Sequence, residues 1–206
     1  MSTGLPAVPK ALAASIDATS APRVLLVRHS DRPALAANDS GFELALTDVG
    51  RERARALSTQ LTSGLRWAVS SPYRRCVETA ECAGFTAEPS HLLGGPGPYV
   101  IDRDRGGEVF GKHGTEAVVR RQIAGETWGC MRPLEEGASL LLNWLEKLLD
   151  ERGGEGLAVT HDAIVMPTIA WATGLSFEDS WIAPLDGAVL TPGAIFYAGQ
   201  RHELPR

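Results

Sequence analysis

Residues 23–33 read RVLLVRHSDRP. Valine and leucine fill positions 24–27 without a polar interruption, the pattern of a strand buried on both faces in an α/β sheet. The run then stops on Arg28 and His29 and passes into Ser30, Asp31 and Pro33, residue types that favour turns. In a parallel sheet the carboxyl end of a strand borders the crevice where ligands bind. The stretch therefore asks what chemistry wants an arginine and a histidine at that edge.

The same strand-then-helix grammar recurs along the chain. LTDVGRERARALSTQL (46–61) offers Thr47 as a helix cap and Val49, Ala54, Leu57 and Leu61 at helical spacing. RWAVS (66–70) reads as a second strand. In SSPYRRCVETAECAG (70–84), Ser71 is expected to cap a helix, Pro72 to occupy its first turn and Gly84 to stop it. Leu141, Trp144, Leu145, Leu148 and Leu149 make one stripe of a long helix ending before Gly153. GLAVTHDAIVMPTIAWATG (156–174) predicts a strand over 157–160, a turn at His161 and a helix over 163–173. GAVLTPG and AIFYAGQ predict a closing pair of strands around Pro192 and Gly193.

This alternation predicts a three-layer α/β/α sandwich with a mostly parallel central sheet. Residues 1–21 are expected to form a loose N-terminal extension, 22–200 the domain, and 201–206 a C-terminal tail. Within the domain, 89–133 is so rich in glycine and proline that it is expected to be a loop or lid insertion.

Composition narrows the function classes. The 206 residues are 44% hydrophobic and 22% charged, enough for a full core in one domain. A net charge of -5 provides no general polyanion-binding surface, so nucleic acid is not expected as a partner. Cys76, Cys82 and Cys130 lack C-x-x-C spacing and fit reduced packing residues. The first 22 residues lack the charge and apolar run of a secretion signal, and no segment reaches the ~20 apolar residues of a membrane span. A cytoplasmic protein without a membrane partner is the expectation. No two of the five histidines show short ligand spacing, and nearby arginines would repel a cation, so neither a metal nor another cofactor is expected.

Three predicted strand ends deliver Arg28 and His29, Ser70 and Ser71, and His161 to one edge. Such a set suits a phosphoryl group: a guanidinium fork matches phosphate oxygens bidentately, and a neutral imidazole is a competent nucleophile.

At this point the chain resembles the histidine phosphatase superfamily, the phosphoglycerate mutase-like family that also contains histidine acid phosphatases. The resemblance rests on VRHS (27–30), with Ser30 in place of the family's glycine, on LTDVG (46–50), SSPYRRCVETA (70–80) and VTHD (159–162). Their order and separation fit the family over roughly 22–198.

The resemblance implies a phosphoglycerate mutase-like fold and a phosphohistidine mechanism. His29 would be the nucleophile, Arg28 and Arg75 would bind phosphate oxygens, and His161 would stabilise the transferring group. Arg75 is chosen over Arg74 because the family's arginine stands three after the proline. Ser30 is a candidate phosphate donor through its hydroxyl. Asp162 and Glu108 are both candidates for the general acid; the spacing around Phe110 and Gly111 fits the family's glutamate imperfectly, which favours Asp162.

The activity implied is hydrolysis of a small phosphorylated metabolite. The alternatives are a mutase-type phosphotransferase and a catalytically weak phosphate-binding relative, the latter suggested by Ser30. Association into a homo-oligomer stays open.

The other polar residues have plainer readings. Thr47 is a cap, Arg74 faces solvent, and His91, His113 and His202 are loop histidines. The mixed charges of 102–121 describe a solvated lid whose Tyr99, Phe110 and Trp128 would shape a pocket.

Overall fold

In a computed structural model the chain is described over residues 8–20, 22–35, 41–61, 65–126, 128–178 and 180–205. The strands are β1 (Arg23–Arg28), β2 (Leu65–Ser70), β3 (Glu88–Pro89), β4 (Glu155–Thr160), β5 (Gly187–Thr191), β6 (Ala194–Tyr197) and β7 (Gln200–Glu203). They form one sheet in the order β3-β2-β4-β1-β5-β6-β7. The half that runs from β3 to β1 is parallel, and the half from β5 to β7 is antiparallel. The sheet is thus mixed rather than mostly parallel throughout, and the parallel half carries the strand ends of interest.

The helices are α1 (Lys10–Asp17), α2 (Asp48–Gln60), α3 (Arg74–Cys82), α4 (Arg103–His113), α5 (Thr115–Ile123), α6 (Leu134–Arg152) and α7 (Asp162–Thr173). Alternation along β1 sets the layers. Val24 and Leu26 face a core shared with Leu141 and Leu145 of α6 and Val165 and Ile169 of α7. Leu25 and Val27 face the other core, with Leu12 of α1, Leu57 of α2 and Cys76 and Ala80 of α3. All four β1 side chains are at most 1% exposed, each such burial contributing about 1.5–3 kcal/mol before entropic losses. The expected three-layer α/β/α architecture is the architecture observed.

Several local expectations are corrected. Residues 10–17 are not loose: Leu12 and Ile16 of α1 are buried against the β5–β6 side of the sheet, and Arg23 Nη1 donates to the Ile16 carbonyl at 2.7 Å. The 89–133 stretch holds two helices rather than a loop. Asp102 caps α4 by accepting from the Arg105 amide at 3.1 Å, and Gly106 lies so close to Val100 that a Cβ there would come within 2.8 Å of Cγ1. Tertiary packing uses Gly106 for this close approach, overriding its poor helix propensity. The C-terminal tail contains β7, which extends the sheet at its edge. Thr47 does cap α2, accepting from the Gly50 amide at 3.0 Å, but Val49 points outward at 47% exposure. Ser71 does not cap α3, which begins at Arg74.

Candidate active site

β1, β4 and β2 lie side by side and end level with one another. The His29 amide donates to the Thr160 carbonyl at 2.8 Å, and the Ser71 amide donates to the Val159 carbonyl at 2.9 Å. Backbone pairing thus aligns the starting points of the His29, His161 and Ser71 side chains.

Hydrogen bonds assign the tautomers of both histidines. His29 is 2% exposed, and its Nδ1 sits 2.7 Å from the Ser30 carbonyl, a group that can only accept. Nδ1 therefore carries the proton and Nε2 the lone pair. In His161 the order is reversed: Arg75 Nη2 donates to Nδ1 at 3.1 Å, so Nε2–H donates to Ser71 Oγ at 2.8 Å. The two rings stand 5.5 Å apart, centroid to centroid, at 69°.

Burial, reinforced by the Arg75 charge, pushes the His29 pKa from 6.5 down to about 3. The same two causes hold His161 well below its ordinary value. Both imidazoles are neutral near pH 7, the form in which a ring nitrogen is nucleophilic.

Arginines surround the pair. Arg75, on the first turn of α3, is 7% exposed and donates from Nη1 to the Gly41 carbonyl at 2.6 Å, while its guanidinium lies 4.7 Å over the Tyr73 ring. Its neighbour Arg74 points outward and pairs with Glu78 at 3.1 Å. Arg28 donates from Nη1 to the Ile182 carbonyl at 2.5 Å and pairs through Nη2 with Asp162 Oδ2 at 3.0 Å. Arg28, His29, Ser30, Asp31 and Arg32 line a cavity of about 220 Å³ that Pro33, Ala34 and Pro184 complete.

Asp162 opens α7 directly after His161. Its Oδ1 accepts from the Ala163 amide at 2.9 Å, and its Oδ2 accepts from Trp181 Nε1 at 3.2 Å as well as from Arg28. Glu108 lies on an exposed face of α4, with no polar partner among the described residues. The structure brings Asp162 to the cluster and leaves Glu108 outside its contacts.

Ser30 departs from expectation. It is fully buried, its hydroxyl donates to the Gly50 carbonyl at 2.8 Å and its amide donates to Thr79 Oγ1 at 3.1 Å. Both donors are spent inside the protein, so the hydroxyl is a clamp between two loops rather than a phosphate donor. The glycine of LTDVG is required at the same junction, because a Cβ on Gly50 would lie 2.2 Å from the Asp31 carbonyl oxygen.

Sequence reasoning missed Arg32, which stands three residues after His29, lines the cavity and has a buried Nε with no hydrogen-bond partner among the described residues. That spacing was the available signal. It also read Ser71 as a cap instead of a partner for His161, and had no signal for Tyr73, whose ring stands 5.0 Å from His161. Trp181 was equally invisible. The third region touching His161 is Gly94: with φ +148°, it passes so near that a Cβ would lie 2.7 Å from Nε2.

Among the described residues no group of three or more His, Cys, Asp or Glu side chains gathers as metal ligands, and no helix is long and apolar enough to cross a membrane.

Residues 24–92 match the family described as the histidine phosphatase superfamily (branch 1). No curated protein matches the chain. Among solved structures, YhfR of Bacillus stearothermophilus is similar with a TM-score of 0.59 and 17% identity, covering 82% of this chain and 90% of its own. Mycobacterial glucosyl-3-phosphoglycerate phosphatase Rv2419c is similar with a TM-score of 0.56 and 14% identity, covering 85% and 89%. TTHB049 of Thermus thermophilus gives 0.53 and 22%, covering 88% and 99%. The resemblance to the superfamily therefore holds, with three of its four motifs inside the matched residues. The chain matches the histidine phosphatase superfamily in sequence over 24–92 and has a phosphoglycerate mutase-like fold over most of its length.

Proposed function

We propose that this chain is a phosphomonoesterase that acts on a small phosphorylated metabolite through a phosphohistidine at His29. The observation that carries the reading is one juxtaposition: an unprotonated His29 Nε2 in a ring 5.5 Å from His161, beside a small cavity lined by Arg28 and Arg32. A neutral imidazole amid guanidinium groups is a nucleophile with its anion clamp already assembled. Rv2419c, similar in fold, is named a glucosyl-3-phosphoglycerate phosphatase, and a further structure of it is a complex with inorganic phosphate. That supports a small phosphorylated ligand here.

In the proposed reaction His29 Nε2 attacks phosphorus as the bond to the leaving oxygen breaks. Arg28, Arg32 and Arg75 hold the equatorial oxygens, and the Nε2–H of His161 joins them by turning from Ser71 Oγ to the phosphoryl group. Asp162, as the carboxylic acid, gives its proton to the leaving alkoxide. The resulting carboxylate takes a proton from water, whose oxygen attacks phosphorus and breaks the N–P bond, so phosphate leaves and both residues return to their starting states. Asp162 is preferred to Glu108 because it contacts Arg28, the last residue of β1, which His29 directly follows. Binding of phosphate would draw Arg28 away from Asp162, leaving the carboxyl to the leaving oxygen and the Trp181 indole N–H.

The test is hydrolysis of p-nitrophenyl phosphate by wild type and His29→Ala, with acid-labile phosphoenzyme trapped on rapid quench. The reading predicts loss of turnover and of trapped label together. Turnover within a few-fold of wild type in His29→Ala would overturn it.

A further inference from the structure

We infer that Arg120 and Trp181 are positioning residues for Asp162; the inference rests on the reading of Asp162 as general acid. Around residues 175–183 the described chain forms neither helix nor strand, so its backbone carbonyls find no partners in regular structure. Arg120, on α5, supplies them. Its Nη1 donates to the Phe177 carbonyl and, at 2.9 Å, to that of Glu178; its Nη2 donates to the Ser180 carbonyl at 3.3 Å. Glu116, one turn earlier, orients the same guanidinium by accepting from Nη2 at 2.7 Å and from Nε at 2.9 Å. The Cζ atom lies 5.5 Å from the Trp181 ring centroid, so the arginine holds both the strap and the ring that projects from it.

Beyond this anchor the strap turns toward the cavity and makes two contacts there. Trp181 Nε1–H donates to Asp162 Oδ2 at 3.2 Å, and the Ile182 carbonyl accepts from Arg28 Nη1 at 2.5 Å. The same carboxyl oxygen also meets Arg28 Nη2. One side chain on α5 thus sets a donor on the proposed acid and an acceptor on the proposed phosphate ligand. When Arg28 turns toward a phosphoryl group, the indole N–H is the side-chain donor that still fixes the carboxyl plane. A general acid held off its line of transfer loses rate most where the leaving oxygen is basic.

The experiment compares p-nitrophenyl phosphate, whose leaving group needs little proton assistance, with β-glycerol phosphate, whose alkoxide needs it. Trp181→Phe keeps an aromatic ring at this position and removes the indole N–H together with the five-membered ring that carries it. The expected result is a fall of about tenfold in kcat on the alkyl ester, at most about threefold on the aryl ester, and KM within about twofold on both. Arg120→Ala is expected to show the same selectivity, and in an Asp162→Asn background the selective part of both effects disappears. Equal losses on the two esters, or no loss on either, would overturn the inference. Should Arg120→Ala unfold, Trp181→Phe decides alone. Full activity of His29→Ala on both esters sinks the phosphohistidine reading itself, whereas a selective defect in Asp162→Asn with an unselective Trp181→Phe sinks only the positioning role.

Discussion

Arg75 Nη2 donates to His161 Nδ1 across 3.1 Å, and this contact fixes which face of the imidazole carries its remaining proton. The adjacent Arg74 has no such task, since its guanidinium faces solvent beside Glu78. Arg75→Ala is expected to lower kcat/KM by about 10²- to 10³-fold, the usual cost of removing a preorganised donor from a transition state. Arg74→Ala is expected to stay within about twofold and to shift stability by less than about 1 kcal/mol, as exposed ion pairs do. Steady-state kinetics and thermal melts of the two variants check the contrast.

Both buried histidines are neutral when folded and ordinary when unfolded, which fixes the sign of their pH effect. Between the unfolded value of 6.5 and the folded value of about 3 for His29, the unfolded chain binds the extra proton, so stability falls as pH drops through that window. At pH 5 the cost from His29 is about 2 kcal/mol relative to pH 7.5. His161, whose pKa is lowered by the same causes, adds to it with the same sign. Melting curves across that range are expected to show the loss, and His29→Asn to flatten the slope. A slope unaltered in His29→Asn and His161→Asn would contradict the burial argument.

Asp162→Asn and Glu108→Gln separate the two carboxyl candidates. Asp162→Asn is expected to cost about 10²-fold or more on an alkyl phosphate and much less on p-nitrophenyl phosphate. Glu108→Gln, on an exposed helix face, is expected to match wild type on both. A selective defect in Glu108→Gln would reverse the assignment.

Ser30 and Gly50 form a structural joint beside the cavity. Ser30→Ala removes one buried hydroxyl donor and is expected to cost about 1–3 kcal/mol in urea denaturation, because the Gly50 carbonyl loses that partner. Its kcat/KM is expected to fall no more than about threefold, since a clamp differs from a phosphate ligand in leaving the transition state largely intact. Gly50→Ala is expected to be worse on both counts, as its methyl would drive into the Asp31 carbonyl.

What could be read from the chain follows the range of the forces involved. Continuous apolar runs such as 24–27 and the polar residues directly after them are local signals, and they gave β1, β2, β4 and the placement of His29 and His161. Arg75 was separable from Arg74 only through the family's motif spacing, which the burial of one and exposure of the other match. The helices of 103–123 were hidden because their glycines look like breakers until Val100 packs against Gly106. Ser30 misled for a related reason: a hydroxyl beside a histidine looks available until the Gly50 carbonyl, twenty residues on, claims it. Trp181 reaches Asp162 from an irregular segment, where no periodicity marks which way a side chain turns.

The pairing of β1 with β4 runs from Arg23 opposite Glu155 to Arg28 opposite Thr160, and the two imidazoles each follow by one residue. At the far end of that ladder Arg23 Nη2 meets Glu155 Oε1 at 3.1 Å, both side chains at most 4% exposed. A slip of one position would offset the histidines by about 3.3 Å and turn one of them to the opposite face. The buried ion pair works as a key cut for a single alignment, and its worth lies less in stability, where an apolar pair could serve as well, than in keeping two distant rings in step.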